Sequence, residues 1–324
     1  MKGFAGRLAV ITGAGTGMGR ELAQQLAASG CHLALCDVVT DRLEETRALC
    51  VEQSKAVRIS LTECNVADER SVGAFRDDVM KKHETRHVNL LFNNAGIGGG
   101  GSFLGDSRED WDRTFAVCWG GVYLCTRAFM PLLVASDEGH IVNTSSVNGF
   151  WACFGPKMPH TAYSAAKFAV KGFTEGLIVD TRINAPHVKV SLVMPGHIGT
   201  PILENSLRLL HDRSIAEMSP EDLAPLRANL KRMGIPADEL PDEAIRAGIQ
   251  QFADQFRDHA PTSAAQAARI ILDGVKEERW RILVGEDAVA IDAAVRNAPE
   301  QAYETAFFKD LAQLGHFGGF GQRS

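Results

Sequence analysis

The chain has 324 residues, 45% of them hydrophobic and 23% charged, with a formal charge of −6 at pH 7. That balance leaves no electrostatic footprint for nucleic acid or an anionic membrane, and no run approaches the roughly 20 apolar residues that span a bilayer. It also excludes intrinsic disorder, collagen and a secreted disulfide scaffold, while a length of about two average domains leaves a single enlarged α/β domain open.

The first apolar run, Leu8-Ala9-Val10-Ile11, is too short for a signal peptide and reads as a buried strand ending in Thr12-Gly13. A helix follows, with Leu22 and Leu26 on one face, and stops at Ser29-Gly30. His32 to Cys36 reads as a second strand ending at Asp37, Asp41 to Gln53 as a helix, and Ala56 to Leu61 as a third strand. A charged helix from Glu69 to His83 precedes the strand Val88 to Phe92. A long helix, Glu109 to Ala135, leads to the strand Ile141 to Thr144, and a helix from Ala162 to Ile183 leads to Val188 to Val193. Apolar strands alternating with helices predict a parallel sheet covered on both faces, a single Rossmann-type doubly wound domain.

After Pro201 the pattern changes. Residues 201–261 hold helical patterns and no strand candidate; alternation resumes with a helix at Ala264 to Lys276 and a strand at Arg281 to Val284. The expected organisation is therefore one domain over 1–285, carrying a helical insertion at 201–261, and a C-terminal extension over 286–324. The extension has two helical patches and a Gly-rich end at 315–321.

Seven cysteines, none in a C-x-x-C pair, point to a reducing, cytoplasmic compartment and to no zinc ribbon. His83 and His87 share a helix face at i, i+4, but they lie among Lys81, Lys82, Glu84 and Arg86 and read as a solvated helix end. No metal site is expected.

Chemistry concentrates at two places. Thr12-Gly13-Ala14-Gly15-Thr16-Gly17-Met18-Gly19 lies where the first strand gives way to the first helix. Glycines there let the backbone approach a pyrophosphate, and the helix N-terminus offers free N–H groups. Met18 stands where the G-x-G-x-x-G form needs its third glycine, so the spacing is T-G-x-x-x-G-x-G. Asp37, 20 residues beyond Gly17, is placed to accept both adenosine-ribose hydroxyls and to repel a 2′-phosphate. With Thr16 supplying no charge for that phosphate, NAD is favoured over NADP. Asn65-Val66, after the third strand, is placed for the adenine edge.

The second place is Tyr163-Ser164-Ala165-Ala166-Lys167, a phenol and an ammonium one helical turn apart. A free Tyr has a pKa of about 10, and a neighbouring cation lowers it toward useful acid/base range. Ser145-Ser146 ends a strand at the carboxyl edge of the sheet, where a hydroxyl can stabilise a developing alkoxide.

Together these pieces resemble the short-chain dehydrogenase/reductase family, in its compact single-domain branch. The resemblance rests on Thr12-Gly13-x-x-x-Gly17-x-Gly19, Asn93-Asn94-Ala95-Gly96, Ser145-Ser146-x-x-Gly149, Tyr163-x-x-x-Lys167 and Pro195-Gly196-x-Ile198-x-Thr200, in that order. It implies an NAD-dependent interconversion of an alcohol and a ketone or aldehyde. Ser146, Tyr163 and Lys167 are then catalytic, with Tyr163 as general acid/base and Lys167 lowering its pKa and holding the nicotinamide ribose. Gly13, Gly17, Met18 and Gly19 would meet the pyrophosphate, Asp37, Asn65 and Val66 the adenosine, and Asn93 and Gly96 the adenine-side ribose. Ile198 and Thr200 would contact the carboxamide, with Pro195 also at the cofactor. The family commonly pairs through the helices after its fourth and fifth strands, so a homodimer or homotetramer is implied.

Two departures stand out. Cys118 in Val117-Cys118-Trp119-Gly120-Gly121 occupies the position where the family carries an Asn that holds a water in its proton relay, and a thiol is a weak substitute. Read as a buried, inert thiol, it also leaves open a dinucleotide sensor or scaffold without turnover, beside an isomerase or lyase that uses NAD transiently. The interval from Ser146 to Tyr163 is longer than the family's usual one, and the surplus falls in residues 150–160. Phe150, Trp151, Phe154 and Met158 there, with the loop Gly98-Gly99-Gly100-Gly101 and the segment after Pro201, are expected to wall a pocket for an apolar or aromatic alcohol or ketone. His160, one turn before Tyr163, is placed either to face the substrate or to stand as a solvated loop residue, and is read as the latter.

Overall fold

A computed structural model describes residues 1–99, 101–155, 158–232 and 234–313. Its first half runs β1 (Leu8–Thr12), α1 (Gly17–Ala28), β2 (His32–Asp37), α2 (Thr40–Gln53), β3 (Ile59–Glu63), α3 (Glu69–His83), β4 (Leu90–Asn93), α4 (Arg108–Phe115) and α5 (Gly121–Val134). Then come β5 (Gly139–Thr144), α6 (Thr161–Asn184), β6 (Val188–Pro195), β7 (Ile198–Gly199), α7 (Ile202–His211), α8 (Pro220–Arg232) and α9 (Asp242–Asp258). The last elements are β8 (Thr262–Ser263), α10 (Ala264–Lys276), β9 (Arg281–Val284), α11 (Glu286–Asn297) and α12 (Thr305–Gln313).

Seven strands form one parallel sheet in the order β3-β2-β1-β4-β5-β6-β9. Successive residues of a strand point to opposite faces, so β1 serves two cores. Ile11 packs with Leu22, Leu33 and Ile271 under α1 and α10, and Val10 packs with Phe75, Leu91 and Phe129 under α3 and α5. Burial on both faces is why these strands read as continuous apolar runs. Because β2 and β4 flank β1, the winding reverses there and opens a crevice at the carboxyl ends of the strands.

Several boundaries and environments differ from the sequence reading. β3 and β4 begin later, at Ile59 and Leu90: Ala56 and Val57 lie in a turn after α2, and Val88 is buried with its N–H donating to Leu132 O. The long helix is continuous from Arg108 to Val134, with a π-helical turn at Ala116–Gly120 between α4 and α5. Contrary to the sequence reading, that helix is long and apolar enough to cross a membrane; its buried face packs Cys125, Phe129 and Leu133 against the sheet and α3. β7 and β8 were not foreseen. They pair in parallel and bring the two ends of the 201–261 insertion together.

His83 is buried rather than solvated, with Nε2 2.9 Å from Ser60 Oγ, and burial lowers its pKa to about 4. His87 is exposed. All seven cysteines are free thiols, and among the described residues no group of His, Cys, Asp and Glu could hold a metal.

The C-terminal extension docks on the aromatic segment after β5. Trp151, fully buried, packs edge-on against Phe307 and donates its Nε1–H to Ala302 O at 2.7 Å. Arg281 of β9 forks onto Asp292 of α11. The Gly-rich end at 315–321 lies outside the described residues.

Candidate active site

The glycine loop after β1 is shaped by close approaches. Gly13 and Gly17 sit at φ of +65° and +53°, conformations that strain any residue with a Cβ. A Cβ on Gly19 would lie 2.1 Å from Gly13 O, so the missing side chain lets α1 close on the loop. Thr12 Oγ1 accepts the Asn94 and Ala95 N–H groups at 3.0 Å each, locking the end of β4 to the end of β1. Asp37 accepts the Gly15 N–H at 2.9 Å and the Val39 N–H at 3.2 Å, which fixes its carboxylate between the loop and the end of β2.

Of the residues expected at a dinucleotide, Gly13, Gly17, Met18, Asp37, Asn65, Val66, Gly96 and Thr200 line one groove of 480 Å³. Ser146, Tyr163, Lys167, Pro195 and Ile198 line an adjoining cavity of 390 Å³, and Met18, Gly96 and Thr200 border both. Gly19 lines neither, consistent with its packing role. Asn93 is a correction: its amide is buried, donating to Thr126 Oγ1 (2.9 Å) and Asn143 Oδ1 (2.8 Å). It ties β4 to β5 and α5, and Asn94 takes its place in the wall. Positive-φ glycines, a free helix N-terminus, a fixed carboxylate and a groove running into the Ser-Tyr-Lys cavity fit a dinucleotide. Sequence reasoning missed Arg42, on α2 five residues past Asp37, which lines the groove beside it.

At the catalytic end, Ser146 follows β5 with its Oγ accepting the Asn148 N–H at 3.1 Å. Tyr163 and Lys167 lie one turn apart near the start of α6. Lys167 is buried, donates from Nζ to Thr144 O at 2.9 Å, and stands 5.3 Å from the centre of the Tyr163 ring. The phenol pKa is raised, opposite to the lowering expected from Lys167. Burial is the main cause, the Cys118 thiol adds to it, and a hydrogen bond with Ser146 works against it. The same burial lowers the Lys167 pKa, so the cation that was to pull the phenol down is itself disfavoured.

Cys118 sits in the π turn, fully buried. Its Sγ donates to Ile97 O at 3.1 Å and receives the Ile97 N–H at 3.4 Å. Burial raises its pKa, which keeps it a thiol and a poor nucleophile.

The cavity is roofed by the insertion. Asn205 of α7 donates to Thr16 Oγ1 at 2.9 Å, the Gly98 N–H donates to Ser206 Oγ at 2.7 Å, and Arg113 donates to Leu209 O at 2.8 Å. These bonds join α7 to the glycine loop, the loop after β4 and α4. Phe154 and Met158 line the cavity as expected, with Leu210, Leu226, Phe252 and Phe256 from the insertion. Phe150 and Trp151 do not; they pack inward against the extension and β9. Gly98, Gly99 and Gly101 line the wall, and Gly100 lies outside the described residues. His160 is half-buried and lines the cavity, its ring 4.7 Å from the Tyr163 ring and 5.5 Å from that of Phe154. Asp287, also missed, accepts the His197 N–H at 2.6 Å and so braces the loop after β6. Nothing in local spacing joins residues 90 positions apart.

Residues 7–208 match the family model described as short chain dehydrogenase. Over 297 residues, 91% of this chain and 92% of the relative, the sequence is 35% identical to a Mycobacterium tuberculosis (strain ATCC 25618 / H37Rv) protein named as an oxidoreductase, SadH. A crystal structure of a short chain dehydrogenase/reductase from Burkholderia phymatum in complex with NAD superposes with a TM-score of 0.72. Its identity is 30%, and the match covers 93% of this chain and 95% of that one. A metagenomic short-chain oxidoreductase in complex with NADP matches with a TM-score of 0.54 and 30% identity, over 60% of this chain and 83% of that one.

Proposed function

This chain belongs to the short-chain dehydrogenase/reductase family of oxidoreductases, and we propose that it interconverts a neutral, largely apolar alcohol and its ketone or aldehyde with NAD. The observation that carries the reading is the meeting of the dinucleotide groove with the cavity of Ser146, Tyr163 and Lys167 at Met18, Gly96 and Thr200. A nicotinamide dinucleotide held by the groove would supply the hydride acceptor or donor. Tyr163 delivers a proton to the substrate oxygen in reduction and removes it in oxidation. Ser146 donates a hydrogen bond to the same oxygen as charge develops there. Lys167, anchored on Thr144 O, holds the ribose hydroxyls. Among the described residues Lys167 is the only Lys or Arg lining the cavity, whereas Asp106, Asp110, Asp222 and Asp287 also line it, so an anionic substrate is disfavoured.

The test is a cofactor-reduction screen across secondary alcohols, polyols, hydroxysteroids and aromatic dihydrodiols. Tyr163→Phe is expected to lower kcat by at least about 10²-fold, the usual scale of a lost general acid/base, while NADH binding by fluorescence is retained. Because the free phenol's pKa is raised, alcohol oxidation is expected to rise with pH through the alkaline range, and ketone reduction is not. Absence of turnover by the wild type across the panel would sink the reading in favour of a dinucleotide sensor.

A further inference from the structure

His160 stands out among the polar groups of the substrate cavity because no hydrogen bond among the described residues uses it. Ser146 and Tyr163 are committed to the reacting oxygen, and His197 Nε2 is 2.7 Å from Phe256 O. His160 lies at the N-cap of α6, one turn before Tyr163, with its ring between those of Tyr163 and Phe154. It makes no side-chain cap, and among the described residues neither ring nitrogen has a hydrogen-bond partner. His160 is half-buried in the cavity wall, and a neutral imidazole carries one donor and one acceptor, which a bound substrate that covers the ring must meet or leave unpaired at a cost.

The geometry points to His160 as a specificity residue that hydrogen-bonds a second, neutral oxygen of the substrate, a hydroxyl or carbonyl on a carbon near the reacting one. This deepens the proposed function and rests on it for the placement of the reacting oxygen. The substrate class is then a hydroxyketone, diketone or diol on an apolar frame rather than a simple ketone. Burial lowers the pKa of the ring to about 4, so it meets the substrate neutral and has no charge to offer a carboxylate. The aspartates that line the same cavity act in the same sense. Rejection follows from the same physics. A substrate lacking the second oxygen leaves the imidazole unpaired, and sites built to bond a polar group discriminate strongly against analogues without it.

The experiment compares cyclohexanone with its 2-, 3- and 4-hydroxy derivatives on the full-length wild type, His160→Phe and His160→Gln, with NADH fluorescence as the check that each variant is folded. In the wild type at least one hydroxyketone is expected to exceed cyclohexanone in kcat/KM by about tenfold or more. That ratio should fall to within about twofold in His160→Phe and recover in part in His160→Gln, which keeps a donor and an acceptor. A ring that only buttresses Tyr163 would slow every substrate alike and leave the ratio intact, and that result overturns the proposal. The same pairs are measured as ligands of the NADH-loaded Tyr163→Phe protein by titration calorimetry. A His160-dependent binding preference there, without wild-type turnover, upholds the recognition role while the oxidoreductase reading fails. An unchanged binding preference in His160→Phe removes the role whatever the turnover.

Discussion

The proposed preference for NAD rests on Asp37. Its carboxylate is pinned by the Gly15 and Val39 N–H groups, so it cannot swing away from a 2′-phosphate, and Arg42 lines the groove beside it. Removing the carboxylate takes away the repelling charge and leaves Arg42 in the same groove wall to attract a 2′-phosphate. Asp37→Ala is therefore expected to shift the kcat/KM ratio of NADP to NAD toward NADP by about 10- to 100-fold, roughly 1.4 to 2.8 kcal/mol. Asp37→Ala with Arg42→Ala should lose most of the gain. Comparable or better kcat/KM with NADP in the wild type would refute the role given to Asp37. At this scale the sequence was most legible where chemistry is local: the glycine loop and the Tyr163–Lys167 turn lie within one element boundary each. Asp287 was not legible, because what makes it matter is a neighbour 90 residues away; the spacing of His160 one turn before Tyr163 was legible, and its place in the cavity wall was not. Tyr163 shows a further limit. A cation at i+4 suggests a lowered phenol, but burial of both groups decides the sign.

Elements were readable by period and misread where a residue's partner is remote. The strands and helices of the sheet followed from apolar runs and turn residues, since each is set by its own pattern. The aromatic run after β5 carries no such label: Phe154 faces the substrate cavity, while Trp151, three residues earlier, holds the C-terminal extension. Trp151 buries its ring between Phe307 and Phe308 and satisfies its N–H on Ala302 O. Trp151→Ala opens a cavity and leaves that carbonyl unpaired, and is expected to cost about 3–5 kcal/mol. Urea unfolding would show the loss, and limited proteolysis should cut within 298–313 before the sheet is touched. The active site would follow in part, since Asp287 on α11 braces the loop carrying Ile198. Unchanged stability and an uncut extension would remove the clamp role.

On the scale of the molecule, the uncovered apolar surface is what the proposed pairing of two copies rests on. The outward face of α6 presents Phe168, Val179 and Ile183, the last 74% exposed, at helical spacing. Gly172 and Gly176 lie between them on the same face, with open space where a Cβ would point. Beside it, α5 exposes Tyr123 and Val134, and Trp119, Tyr123 and Phe173 form a ring cluster that joins the two helices. A soluble monomer rarely leaves so continuous an apolar strip in water, and small residues on a helix face let a second helix approach closely. A twofold axis across the strip would set each apolar face against its own copy, and a stable interface of that kind buries about 1,600 Å². Sedimentation velocity at micromolar concentration is expected to show a dimer or tetramer. Phe168→Asp with Ile183→Asp sets like charges against each other across the axis and should yield the monomer, with NADH still bound because neither residue lines the groove or the cavity. A wild type that sediments as a monomer, or a double variant that assembles unchanged, would mean that this strip is covered by something other than a second copy.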